Sequence, residues 1–313
     1  MSLGPSADSE AWVEKGWAAL PPSYRIPEKP PSLAEARAYC ARLARSHYEN
    51  FHVATWLLPR RLRPHFCALY AYCRISDDLG DEVKDPQAAL ALLDVWEGEL
   101  NACYAGSARH PVFVALAETI RACSIPREPF ADLLTAFRRD QSVHRYASIQ
   151  EVLGYCRYSA NPVGRLVLHA CGLADEQRFR WSDATCSALQ IANFLQDVGR
   201  DYALGRIYLP QDDMRRAGAT EAMIADRRAT PEFRALMRQQ VSFTRALFTV
   251  GRQLIRTVPF TLAVDVDLFT RGGEAILAAI EGQDYDVLTR RPEIGGRKKA
   301  LLLLQAIGAR FVP

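Results

Sequence analysis

Leu62 to Glu82 reads LRPHFCALYAYCRISDDLGDE. Its run Phe66-Cys67-Ala68-Leu69-Tyr70-Ala71-Tyr72-Cys73 is apolar and aromatic with helical spacing, and it leads into the acids Asp77, Asp78, Asp81 and Glu82. On a helix, residues four apart share a face with Cβ atoms about 5–6 Å apart, so Asp77 and Asp81 make a small carboxylate claw. A second apolar run, Ala188-Leu189-Gln190-Ile191-Ala192-Asn193-Phe194-Leu195, leads in the same way to Asp197 and Asp201. Both helices are therefore expected to be buried while carrying acids at their ends. Repulsion within each cluster would raise its pKa values unless a cation holds the acids ionised. Magnesium takes one or two carboxylates from any one element and completes its shell with water and phosphate oxygens. Two such claws facing each other predict a site for a divalent metal and a diphosphate.

Outward from these runs, apolar positions recur at the helical period over 32–48, 62–82, 87–105, 111–123, 128–140, 148–171, 175–203, 232–257, 260–282 and 297–310. Breakers separate them: Pro59, Pro86, Pro111, Pro126, Gly172, Pro210, Pro231, Pro259 and Pro292. Ser32 and Glu35 form a capping-box pattern at the start of the first. No stretch alternates with period two, and neither a hairpin signal nor a fixed-length repeat occurs. The expected fold is all-α, a single large helical bundle over 33–313. The prolines at 5, 21, 22, 27, 30 and 31 predict an extended segment over 1–32.

Composition narrows the function. With 49% hydrophobic and 24% charged residues, the 313-residue chain reads as a soluble globular protein. A net charge of +3, with Lys and Arg scattered along the chain, sets nucleic acid aside. No signal peptide or spanning run is visible, and the eight cysteines show no C-x-x-C pairing, so a cytoplasmic, reduced protein is expected. The six histidines form no H-E-x-x-H, and P-loop, G-x-G-x-x-G and G-x-S-x-G motifs are absent, which removes zinc, nucleotide and hydrolase-elbow chemistries.

Other polar residues gather near the claws. Gln190, Asn193, Asp197 and Asp201 fall at i, i+3, i+7 and i+11, one helix face. Arg74 precedes Asp77 by three, and Arg206 stands in the loop Gly205-Arg206-Ile207-Tyr208-Leu209-Pro210; both offer the planar fork that suits phosphate oxygens. Arg200 reads as a surface cation or a neutralising partner for the acids.

The CRISDDLGDE and NFLQDVGRDYALGRIYLP stretches, in this order and spacing, resemble the squalene/phytoene synthase family, the head-to-head prenyl synthases. The resemblance runs from about Ala38 to the C-terminus and takes in Tyr155-Cys156-Arg157-Tyr158-Ser159-Ala160 and the tail Tyr285-Asp286-Val287-Leu288-Thr289-Arg290-Arg291-Pro292. Within it, His47-Tyr48-Glu49-Asn50-Phe51, Leu57-Leu58-Pro59-Arg60-Arg61-Leu62-Arg63-Pro64 and Ala160-Asn161-Pro162-Val163-Gly164 are similar to the hydroxysqualene synthase branch of hopanoid biosynthesis.

That resemblance implies an isoprenoid-synthase bundle with a central cavity, Mg²⁺ dependence, and diphosphate bound through Asp77, Asp81, Asp197 and Asp201. It implies diphosphate or metal contacts for Arg74 and Asn193, a catalytic or cation-steering role for Tyr155, and substrate contacts for His47, Asn50, Tyr70, Gln190 and Tyr208. Tyr70, Tyr72, Phe194 and Phe51 are candidate walls for a carbocation. The implied reaction ionises presqualene diphosphate, rearranges the cation and captures it with water, giving hydroxysqualene. Asn161, with Tyr155, is a candidate for placing that water. Glu49 stands where condensing members carry small hydroxyl residues, and an acid there disfavours a second diphosphate. The alternatives are a condensing synthase joining two prenyl diphosphates and, from another class, a helical scaffold whose acids only bind cations. The apolar C30 product leaves peripheral contact with the inner membrane, and hand-off to a neighbouring pathway enzyme, as further expectations.

Overall fold

The computed structural model describes residues 7–46 and 59–309. The described residues form helices joined by short turns; their one extended pairing is an isolated bridge between Arg145 and Ile207. No described helix is long and apolar enough to cross a membrane. The chain divides into two compact units, one holding residues up to Ser142 plus Arg165–Ala174 and the other Val143–Gly164 plus the chain from Asp175 onward.

The first unit contains α1 (Ala7–Ala18), a 3₁₀ turn (Pro22–Tyr24), α2 (Leu33–Ser46), α3 (Arg63–Asp81), α4 (Pro86–Ala105), α5 (Pro111–Cys123) and α6 (Glu128–Asp140). Its core surrounds α3. Tyr72, Ile75 and Leu79 are fully buried on one face, and Ser76 beside them accepts from Trp96 Nε1 at 2.9 Å. Tyr72 stacks edge-on to Phe113 and Phe130 and donates its hydroxyl to the Phe130 carbonyl at 2.8 Å. With that face locked inward, the helical period brings Tyr70, Arg74, Asp77 and Asp81 onto another face.

The described part of the 1–32 stretch, residues 7–32, is not the extended segment expected from its prolines. The stretch Ala7–Ala18 contains no proline and is helical, and Trp17, Leu20 and Tyr24 join the buried core of the first unit. Pro21 and Pro22 instead shape the turn after it. The capping box is present: Ser32 N donates to Glu35 Oε2 at 2.9 Å and Glu35 N to Ser32 Oγ at 3.3 Å. Pro86, Pro111 and Pro231 each take the first position of a helix, where no intrahelical N–H bond is lost.

The second unit contains α7 (Ile149–Ser159), the 28-residue α9 (Glu176–Ala203), α10 (Gln211–Ala217), α11 (Glu221–Ala225), α12 (Pro231–Gly251), a 3₁₀ turn (Arg252–Arg256), α13 (Phe260–Gly282) and α14 (Gly296–Gly308). Helix α8 (Asn161–Ala170) begins in this unit. The spacing predicted one helix over 148–171; the structure breaks it at Ala160, because Pro162 lacks an N–H and its ring clashes with the preceding turn. The predicted helix over 232–257 likewise ends as α12 at Gly251 and finishes in the 3₁₀ turn. Helices α10 and α11 were not anticipated, being too short to show a period.

Candidate functional site

On α3, Arg74 grips Asp78 rather than Asp77. Its Nε donates to Asp78 Oδ2 at 3.1 Å and its Nη2 pairs with Oδ1, while Nη1 stays 3.6 Å from Asp77 Oδ2. Asp78 is buried, with 7% of its side-chain surface exposed, and also accepts from the Tyr24 hydroxyl at 2.7 Å. Asp77 keeps 45% of its side-chain surface. Its carboxyl is pushed up to about 7 by loss of solvation, then by the like charge of Asp81, against the pull of Arg74; its exposure tempers that push through solvent screening. Burial alone would lower Arg74, but Asp78 and Asp77 outweigh it and hold the guanidinium above its usual value. Tyr70 lies one turn before Arg74, and burial raises its phenol.

The second claw is built differently. Asp197 departs from helical geometry (φ −106°, ψ 15°), kinking α9 within its last two turns. The face expected to run unbroken from Gln190 to Asp201 is thus interrupted: Gln190 is half-buried, Asn193 exposed, and Asp197 and Asp201 half-buried. Asp197 already has a cation. Arg291 donates to it twice, Nε to Oδ1 at 2.6 Å and Nη2 to Oδ2 at 2.9 Å, the two-pronged pairing that guanidinium favours. The neighbouring Gln196 donates to the Pro292 carbonyl at 2.6 Å, so the segment after α13 is fastened to α9 at two successive residues. Arg200 is exposed and reaches Asp197 only at 3.8 Å, as a peripheral neutralising charge.

Helix α9 ends in a Schellman-type stop, with Arg206 N donating to the Asp201 carbonyl at 2.8 Å around Gly205 at φ +79°. The following loop is held by Ile207 N on the His144 carbonyl at 2.9 Å and Gln211 N on the Tyr146 carbonyl at 3.0 Å. This brings Tyr208 onto Phe194, their rings parallel within 4° and 3.7 Å between centroids. Tyr155 lies 5.8 Å from Tyr208 and 6.1 Å from Phe194, and Tyr146 closes the group at 5.6 Å from both Tyr155 and Tyr208. Phe194, Tyr208, Asp201 and Arg206 line one small recess. Asn161 is buried, and its carboxamide oxygen accepts from Ser187 at 2.9 Å.

The sequence-expected residues thus form two groups, Tyr70, Arg74, Asp77 and Asp81 in one unit and Tyr155, Asp201, Arg206 and Tyr208 in the other. His47 and Asn50, with Tyr48, Glu49 and Phe51, lie outside the described residues. Tyr72, expected as a candidate cavity wall, is instead a fully buried core residue. Sequence reading missed Arg291, Tyr146 and Tyr24; the first stands in the quoted tail motif, while nothing local marks the other two. Among the described residues no three acids, histidines or cysteines converge as a ready-made metal cage. Within the first unit, Asp77 and Asp81 are hard carboxylate donors of the kind Mg²⁺ takes, one or two from any one element, when phosphate oxygens and water fill the rest of its shell.

The all-helical chain matches known proteins. A family model described as squalene/phytoene synthase matches residues 29–298. The chain belongs to the squalene/phytoene synthase family. This family member is 35% identical over 241 residues to hydroxysqualene synthase from Rhodopseudomonas palustris, covering 75% of this chain and 80% of that one. Over 301 residues it is 32% identical to phytoene synthase 3, chloroplastic, from Zea mays, covering 92% and 70% of the two chains. The crystal structure of squalene synthase HpnC from Alicyclobacillus acidocaldarius superposes with a TM-score of 0.78 at 48% identity, covering 87% of this chain and 99% of that one. The fold is the isoprenoid-synthase type of helical bundle, and the family places the chain in isoprenoid and squalene biosynthesis as a prenyltransferase-like head-to-head synthase.

Proposed function

We propose that this family member converts presqualene diphosphate and water to hydroxysqualene and diphosphate, with Mg²⁺, in squalene and hopanoid biosynthesis. The observation that carries this reading is the 35% identity to a hydroxysqualene synthase across 80% of that enzyme. In the reaction the C–O bond to diphosphate breaks with its electron pair on the leaving group. The cyclopropylcarbinyl cation rearranges, water forms the new C–O bond, and a proton is released.

Asp77 and Asp81 in the first unit and Asp201 in the second are the proposed Mg²⁺ ligands, and Asp197 would join them by exchanging Arg291 for the ion; Mg²⁺, when bound, would neutralise charge gathering on the departing diphosphate. Arg74, fixed by Asp78, presents its remaining N–H groups to diphosphate oxygens, and Arg206 is a further candidate guanidinium for the same anion. Phe194 stacks on Tyr208 and Tyr155 tilts against both, and the ring faces this leaves outward offer a π surface that stabilises a cation without bonding to it. Gln190 and Asn193 are amide contacts for the substrate, and the Asn161 NH₂, with the Tyr155 hydroxyl, is the candidate guide for the capturing water.

A condensing reaction, joining two prenyl diphosphates, is the second reading, favoured by the phytoene synthase relative and by the squalene synthase named for the crystal structure. Mass-spectrometric product analysis with Mg²⁺ and no nicotinamide cofactor separates the two. Hydroxysqualene from presqualene diphosphate, and no turnover of farnesyl diphosphate alone, is the expected result. Presqualene diphosphate formed from farnesyl diphosphate would overturn it.

A further inference from the structure

The acid next to the first claw is committed on all sides. Asp78 Oδ2 accepts from both the Tyr24 hydroxyl at 2.7 Å and Arg74 Nε at 3.1 Å, and its Oδ1 pairs with Arg74 Nη2. A buried carboxylate so engaged has little left to offer a metal. What it does instead is grip the Arg74 fork edge-on, which leaves Nη1 turned toward Asp77.

Tyr24 reaches this point from far away in sequence, and its own placement is fixed. It ends the 3₁₀ turn that starts at Pro22; Tyr24 N donates to the Pro21 carbonyl at 2.9 Å, the Ser23 carbonyl accepts from the Tyr39 hydroxyl of α2 at 2.9 Å, and Arg25 pairs with Glu14 of α1 at 3.0 Å. Its ring is 4% exposed, so bulk water cannot readily replace the hydroxyl. Burial, with the Asp78 contact, raises the phenol, so it remains a donor throughout the physiological range.

We propose that Tyr24 is a positioning residue for Arg74: by holding the Asp78 carboxylate it sets where Arg74 presents its remaining N–H groups to an anionic diphosphate. The N-terminal turn is then part of the diphosphate machinery without touching the ligand. A carboxylate held by two donors on Oδ2 has one orientation; with only Arg74 attached, it and the guanidinium can swing together, and the fork loses its fixed aim. The inference rests on the diphosphate reading above and adds to it the residue that orients Arg74.

The test is calorimetric binding of inorganic diphosphate, at a fixed excess of Mg²⁺, to the full chain and to Tyr24→Phe, Arg74→Ala and the double variant. Because Tyr24 acts through Arg74 and not on the ligand, only part of the worth of a hydrogen bond to a charged group should be lost from binding, about 5-fold in Tyr24→Phe. The same change in the Arg74→Ala background should have no further effect. Asp78→Ala, which removes the carboxylate shared by Tyr24 and Arg74, should also weaken binding, which keeps the test decisive if Tyr24→Phe folds poorly. Wild-type affinity in Tyr24→Phe, or an equal loss with and without Arg74, would overturn the proposal while leaving the diphosphate reading in place. No binding by the wild-type chain would remove both.

Discussion

A helix turns about 100° per residue, so the neighbours Asp77 and Asp78 leave α3 in different directions and meet different partners. Asp78 enters the buried grip of Arg74 and Tyr24, while Asp77 faces Asp81 and keeps nearly half its side-chain surface. The upward push on Asp77, to about 7, has a consequence for metal binding. A carboxyl raised toward neutrality is increasingly protonated below that pH, and a protonated acid is no ligand. Mg²⁺ binding in the presence of diphosphate should therefore weaken as pH falls through about 7 and should release protons there. Calorimetric titrations in two buffers of different ionisation enthalpy, between about pH 6 and 8, read both effects. Diphosphate itself exchanges protons in this range, so the comparison is with Asp77→Asn: an equal pH dependence and proton release in that variant would show that Asp77 does not titrate on metal uptake. At Asp197 the charge balance differs, because Arg291 already supplies a cation through two hydrogen bonds.

At the scale of elements, α9 carries the second claw, and its placement depends on close packing against α12 and α13. At Gly251, the last residue of α12, an added Cβ would lie 2.1 Å from Thr185 Oγ1 and 3.0–3.1 Å from the Thr185 backbone N and Cα. The hydroxyl can rotate away, but the backbone cannot, so Gly251→Ala must push α12 from α9. The expected cost is about 1–3 kcal/mol, the usual range for overpacking, and a denaturant-unfolding midpoint would measure it. No change in midpoint would mean that the two helices separate at that end without strain. The Asp197 kink belongs to this scale as well. Helical dihedrals fail at one residue inside a continuous 28-residue helix, at the carboxylate to which the tail is fastened by Arg291.

For the molecule as a whole, a buried acid on α13 adds a pH dependence of stability. Asp265 is 4% exposed, its Oδ1 has no hydrogen-bond partner, and burial pushes its carboxyl up to about 8. In the unfolded chain the same group titrates near its ordinary value of about 3.9. The native state therefore holds a proton that the unfolded state has released, and this contribution to stability is fully present below about pH 4 and lost as pH rises to about 8. Asp265→Asn should flatten stability against pH over that window, with the gain appearing at the alkaline end; a variant curve parallel to the wild type would show that Asp265 is ionised in the native state. Much of the fold was legible beforehand. Helical period depends on residues within a turn or two, so α2 to α6, α9 and α13 emerged close to their observed bounds, and both acid claws with Arg74 could be named. The exceptions were also local in origin: Pro162 splits a predicted helix, and Ala7–Ala18, which contains no proline, is helical although prolines flank it. What the sequence by itself determined was the all-α class, the family and the residue types near the acids. Only the tertiary structure decided who meets whom: Tyr24 and Asp78 are 54 positions apart, Arg291 and Asp197 are 94 apart, and Tyr146 joins Tyr155, Phe194 and Tyr208 from separate segments. Such pairings follow from how buried helix faces pack, and no local spacing of charges or rings records them.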